Sequence, residues 1–201
     1  MQNDLIIFVK NPVLGTAKTR LAVSIGNEAA LVVYLQLLAY TKDVALSIDV
    51  NRSVWYSSNI DKNDMWTNED FTKRLQFGDD LGEKMKNAFR KTFEEQNSSA
   101  VVIIGSDCAE LEPNHIKQAF EELLNSDVVI GPARDGGYYL LGMSKFHPQL
   151  FESISWSTSS VAEQTIEIVN KLGLSYQLLE ELNDVDTVED WKQVKHRLPN
   201  L

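Results

Sequence analysis

A disulfide is beyond the reach of this chain, because Cys108 is its only cysteine. Nothing in its framework depends on an oxidising compartment. Positive charge is also short: 19 Lys and Arg stand against 29 Asp and Glu, a formal net charge of −10. A nonspecific nucleic-acid binder presents a basic face, and so does a protein held on an anionic membrane, so neither partner is expected. Long apolar runs are missing too, the longest reading as too short to cross a bilayer. The opening MQNDLIIFVKNP has no basic leading segment and no small-residue cleavage site, and its apolar run breaks at Lys10. The expected compartment is therefore the cytoplasm. Histidine is scarce, and His115, His147 and His196 show no ligand spacing.

What is present is an ordinary globular composition, 43% hydrophobic and 24% charged over 201 residues, enough to bury a real core. LIIFVK, SVWYSS, KRLQF, AVVIIG, DVVIGPA, GGYYLLGM and SYQLLE read as strands. Helical spacing connects them over 27–45, 80–96, 113–125, 158–172 and 187–198, with Asn27 and Thr187 as expected N-caps. Residues 59–70 read as surface loop. Strands alternating with helices, and no repeat or linker, predict a single three-layer α/β domain over 1–201 with a mostly parallel central sheet. Ligands of such sheets lie outside the carboxyl ends of the strands, which selects the loops 10–20, 105–111 and 131–137.

The first of these loops contains PVLGTAKT and ends in Lys18-Thr19 as a P-loop does, but Pro12 and Ala17 stand where that loop needs glycine. Pro12 offers no N–H and Ala17 brings a Cβ, so backbone amides cannot wrap a phosphate there. Charge can still hold one: Lys10, Lys18 and Arg20 face only Asp4 as an acid in the first 27 residues. Conversely, residues 172–191 carry Glu180, Glu181, Asp184, Asp186, Glu189 and Asp190 with no base. Asp107 follows the most apolar strand by two residues, where a hard cation can take a carboxylate and fill its shell with water and phosphate. Cys108 beside it has no basic partner and reads as a small buried side chain. Asp135-Gly136-Gly137 is a turn by composition that also allows close approach to backbone. Trp156-Ser157-Thr158 offers a stacking face and hydroxyls, with Thr158 equally able to cap a helix. In NDVDT, a cap at Thr187 leaves Asp184 or Asp186 free for a metal.

FVKNPVLGTAKTRL, GSDCAEL, DGGYYLLG and DVDTVED, in that order, resemble a family of uncharacterised bacterial proteins with the glycosyltransferase-A, or nucleotide-diphospho-sugar transferase, fold. That family is similar to the molybdopterin-cofactor and phospholactate guanylyltransferases, and some members are described as glycosyltransferases of arsenosugar biosynthesis. QFGDDLGEKM also resembles the Q-x-x-x-L-G segment of sugar-phosphate nucleotidyltransferases, with one extra residue. The resemblance implies a nucleotide held by Lys10, Gly15, Lys18 and Arg20, with Gln76, Leu81 and Gly82 near its base or sugar. It implies Mg²⁺ or Mn²⁺ on Asp107 and on Asp186 or Asp184. Asp135, Gly136, Gly137 and Tyr138 would line the acceptor side with Trp156, Ser157 and Thr158, and Asp107 and Asp135 would carry the chemistry. Three positions depart from the pattern. Glu110 and Glu112 stand where a proline and a small polar residue are expected, Val188 replaces a proline, and the L-x-G-G-x-G-x-R signature of nucleotidyltransferases is absent. The expected function is metal-dependent transfer from a nucleoside-diphosphate sugar to a small-molecule acceptor. The alternatives are nucleotidyl transfer with pyrophosphate release, and nucleotide binding without turnover.

Overall fold

The computed structural model describes residues 2–200. Every apolar run named above forms a strand: β1 (Asn3–Val9), β2 (Asn51–Tyr56), β3 (Thr72–Leu75), β4 (Ala100–Ile104), β5 (Val128–Pro132), β6 (Tyr138–Met143) and β7 (Tyr176–Leu178). The helices are α1 (Thr19–Ile25), α2 (Asn27–Leu46), α3 (Leu81–Gln96), α4 (Pro113–Glu122), α5 (Val161–Lys171) and α6 (Val188–Val194). The strands form one sheet in the order β3-β2-β1-β4-β6-β5-β7. β6 runs antiparallel to β4 and β5, and the other pairs are parallel.

Period-two alternation makes this a three-layer sandwich. From β1, Leu5, Ile7 and Val9 join Tyr34 and Leu38 of α2 and Ile116 and Phe120 of α4 on one face. Ile6 points to the other face, with Met85 and Phe89 of α3 and Val169 of α5. Buried on both faces, β4 reads as an unbroken apolar run. A second layer of packing explains α2. Its Ala30, Val33 and Leu37 are covered by Leu21 of α1, by Val185 just before α6 and by Val194 of α6. Buried on two sides, α2 is apolar nearly all round, and by length and composition it could cross a bilayer. The expectation that no apolar stretch is long enough is thus corrected, though half of that stretch is buried inside the fold.

The strand order places a switch point between β1 and β4. The sheet grows to β2 on one side of β1 and to β4 on the other, so the loops after β1 and β4 diverge and leave a crevice. Local capping departs from expectation at two helices. Gly26, not Asn27, takes the N-cap of α2 with left-handed backbone (φ 84), and Asn27 is already helical. α5 begins at Val161 behind Ser160, while Thr158 Oγ1 donates instead to Ser155 O at 2.7 Å. Thr187 does cap α6, in a reciprocal capping box with Asp190.

Candidate active site

The crevice is a cleft of about 1000 Å³ that takes lining residues from each of the loops 10–20, 105–111 and 131–137. A smaller recess, about 320 Å³, lies at the opposite end of β1 to β3. Its arginines are already engaged, Arg52 with Ala45 O and Ile48 O and Arg74 with Glu95. The larger cleft is therefore the one with convergent free chemistry.

The loop after β1 is fixed from two sides. Asn11 is buried, and its Oδ1 accepts from Ser58 N (3.0 Å) and Ser58 Oγ (2.9 Å) while its Nδ2 donates to Asn59 O (2.8 Å). That joins the loops after β1 and β2. Tyr34 Oη accepts from Lys10 N (2.8 Å), donates to Lys10 O (2.9 Å) and lies 3.4 Å from Ser106 Oγ. One phenol on α2 thus ties the loop after β1 toward the loop after β4. Further along the same loop, Ala17 buries its methyl in the core.

Lys18 follows, in the left-handed conformation at the N-cap of α1 (φ 50, ψ 47). That backbone is costly for a residue with a Cβ. It turns the side chain into the protein, where it is 4% exposed. Lys18 Nζ lies 2.9 Å from Asp107 Oδ1 and 3.6 Å from Asp186 Oδ1. Neither contact has the geometry of a hydrogen bond, so the buried ammonium is close to two carboxylates without a hydrogen-bonded acceptor. Arg20 is 70% exposed and donates to Asp186 Oδ2 at 2.5 Å. The residues expected to hold phosphate and those expected to hold metal therefore form one cluster.

The strap 183–186 completes it. Asp107 O accepts from Val185 N at 2.9 Å. Glu110 Oε2 accepts from Asn183 N at 2.9 Å, and Asn183 Nδ2 donates to Asp190 Oδ1 at 2.8 Å. Glu110, one of the departures noted in the sequence, is thus a grip on the strap. Asp184 is pushed up to about 7, first by burial, then by the negative charge of Asp107; Lys18 opposes, and Asp135 and Asp186 add to the rise. Cys108 donates weakly to Asn183 O. Burial, with Asp184 adding, pushes its thiol up to about 12, which makes it a packing residue and not a nucleophile.

Asp135 Oδ1 accepts from Gly137 N at 2.9 Å, an Asx turn that leaves Oδ2 without a hydrogen-bond partner among the described residues. Gly137, Tyr138, Trp156, Ser157 and Thr158 line the cleft with it. Ser157 also has left-handed backbone (φ 63). Gln76 and Leu81 also line the cleft, but the Gln76 amide is committed: Nε2 donates to Val9 O (3.2 Å) and Trp55 O (2.8 Å). It clamps the ends of β1 and β2, and only its carbonyl is free to face a ligand.

Three expected site residues do not line the cleft. Gly15 sits at the outer turn of its loop with φ 78. Gly82 packs against Trp156, whose indole occupies the space a Cβ there would need. Gly136 has φ 89, and a Cβ on it would strike Ser159 O. Its carbonyl accepts from Ala162 N at 2.9 Å, so it docks the turn onto α5. Conversely Tyr34, Ser57, Lys84, Ser106 and Ser159 line the cleft without having been singled out. Ser106 was open to discovery, standing between Gly105 and Asp107. Tyr34 was not, because on a helix buried on two sides it reads as core.

Among the described residues no three His, Cys, Asp or Glu side chains are set to hold a metal. The donor set still fits a divalent cation of the kind that keeps water and phosphate in its shell and asks for one or two carboxylates. Two carboxylate oxygens, from Asp107 and Asp186, already converge on one buried positive charge.

The fold is shared with solved structures. A candidate nucleotide-diphospho-sugar transferase from Desulfovibrio desulfuricans G20 is 32% identical, covers 94% of this chain and 85% of its own, and superposes with a TM-score of 0.87. The inositol-1-phosphate CTP transferase of T. maritima, 14% identical with 98% of this chain and 95% of its own covered, shares the fold at a TM-score of 0.62. A 2-phospho-L-lactate guanylyltransferase of Methanocaldococcus jannaschii is 35% identical over 75 residues, 36% of this chain. The chain spans about a third of that relative's length. Residues 40–158, from inside α2 to Thr158 and including Asp107 and Asp135, match the model of a bacterial family described as uncharacterised, and by that match the chain belongs to this family, DUF2064.

Proposed function

We propose that this chain transfers a group from a nucleotide-activated donor to a small acceptor, and that the donor is a nucleoside-diphosphate sugar. The observation that carries this reading is the convergence of Lys18, Arg20, Asp107 and Asp186 at the switch point of the sheet. Two cations beside two carboxylates suit a diphosphate bridged to a divalent ion, whereas carboxylates alone would repel it. The kinship with the D. desulfuricans protein supports the sugar donor.

Asp107 and Asp186 would hold Mg²⁺ or Mn²⁺, which when bound supplies Lewis-acid stabilisation of the departing diphosphate. Arg20 and Lys18 add fixed positive charge where negative charge develops. The free Asp135 Oδ2 accepts a hydrogen bond from the acceptor hydroxyl and takes its proton as the new bond forms. Tyr138 and Trp156 wall the acceptor from water.

A second reading is nucleotidyl transfer from a nucleoside triphosphate, favoured by the match to the guanylyltransferase. The two differ in product. Incubation with a panel of nucleotide sugars and nucleoside triphosphates plus Mn²⁺, followed by ³¹P NMR, separates them. Free nucleoside diphosphate supports the first, pyrophosphate supports the second, and neither with any donor–acceptor pair refutes both.

A further inference from the structure

We propose that Lys18 is a built-in plug for the cation site: it fills the space between Asp107 and Asp186 until a phosphate group of the donor draws its ammonium away. Metal and phosphate would then bind their neighbouring sites synergistically and neither would bind well alone. The inference rests on the metal-dependent reading above.

Three features of Lys18 carry it. Its Nζ lies within 4 Å of oxygens of both carboxylates, where a divalent ion on those residues would have to lie. Two cations cannot share that space. Its ammonium is buried and no acceptor is aligned with its donors, so it is held by charge and not by a satisfied hydrogen-bond set. A phosphate oxygen in the cleft offers the missing aligned acceptor. Its backbone is left-handed at a residue that is not glycine, a conformation that stores strain at the hinge of this side chain. Asp107 is 46% exposed, so the cation has an approach from the cleft once the ammonium withdraws. Arg20 holds the other oxygen of Asp186, Oδ2, from outside and is 70% exposed, so it is a cation of equal charge that leaves Asp107 and Asp186 Oδ1 uncovered.

That contrast supplies the test. Mn²⁺ binding is measured by electron paramagnetic resonance on wild type, Lys18→Met, Lys18→Gly, Arg20→Gln and Asp107→Asn, with and without inorganic phosphate. Lys18→Gly removes the ammonium while relaxing the left-handed backbone, and melting curves accompany every variant. Both Lys18 variants are expected to bind Mn²⁺ alone at least about tenfold more tightly than wild type, and Arg20→Gln to change it by less than about threefold. Phosphate is expected to tighten Mn²⁺ binding to wild type and to lose that effect in both Lys18 variants. Equal gains from removing Lys18 and Arg20 reduce the effect to general charge and overturn the plug. Unchanged affinity in both Lys18 variants, with Asp107→Asn still lowering it, overturns the plug but leaves the metal reading standing. No Mn²⁺ binding by any variant, with or without phosphate, overturns both.

Discussion

Asp184→Asn should stabilise the protein strongly at pH 8 and weakly at pH 5, in EDTA. The folded carboxyl is pushed from its ordinary value of 3.8 to about 7. Below about pH 4 both folded and unfolded chains hold the proton, and the site costs nothing. As pH rises the unfolded chain releases its proton first, so stability falls, and the loss is complete only above about pH 7. A rise of about three units corresponds to about 4 kcal/mol when both states are ionised. At pH 5 the unfolded group has released its proton but passed its ordinary value by only about one unit, so the cost there is about 1.5 kcal/mol. The Asn variant does not titrate and keeps the shape, so its advantage should grow by about 2.5 kcal/mol between pH 5 and pH 8. This is an upper value, because Asp184 is only partly buried in the cleft and water screens it. For a chain of this size the difference is worth about 5–10 °C in Tm. Differential scanning calorimetry of both proteins at the two pH values reads it directly. An equal advantage at both pH values would mean that Asp184 is ionised throughout, and that Lys18 outweighs both its burial and its acidic neighbours.

Other substitutions test other parts of the site. Gly82→Ala places a Cβ inside the Trp156 indole, so Trp156 must move; a loss of about 1–3 kcal/mol in urea denaturation is expected, and unchanged stability would show the indole free to swing. Asn11→Ala strips the buried acceptor from Ser58 N and Ser58 Oγ, at a cost of about 1–3 kcal/mol by the same measurement, and a neutral result would deny the clamp between the two loops. Asp135→Asn keeps an acceptor for Gly137 N, so the turn persists, yet transfer should fall at least about tenfold relative to donor hydrolysis. An unchanged ratio of transfer to hydrolysis removes Asp135 from the chemistry.

Local pattern carried some elements and failed at others for definite reasons. The strands were legible because a parallel strand buried on both faces is a continuous apolar run, as AVVIIG is. α3 was legible because its apolar residues fall on one face behind the cap at Asp80. α1 was not legible, because seven residues with a single buried side chain carry little periodicity. The boundary at Gly26 was misassigned to Asn27 because Asn is the better cap by type, whereas the left-handed turn between α1 and α2 admits glycine.

The amino-acid sequence alone determined the alternation of strands and helices, the lack of P-loop glycines in PVLGTAKT, and the placing of Asp107 and Asp135 in loops that follow strands. Each of these depends on residues close together in the chain. Tertiary structure decided the rest. It put Lys18 between Asp107 and Asp186, turned Glu110 into a grip on the strap, set Gly82 under Trp156, and committed the Gln76 amide to the ends of β1 and β2. A sequence reading places a loop lysine in water, because burying an ammonium is unfavourable. Only the strand order brings up two distant carboxylates that make this burial tolerable.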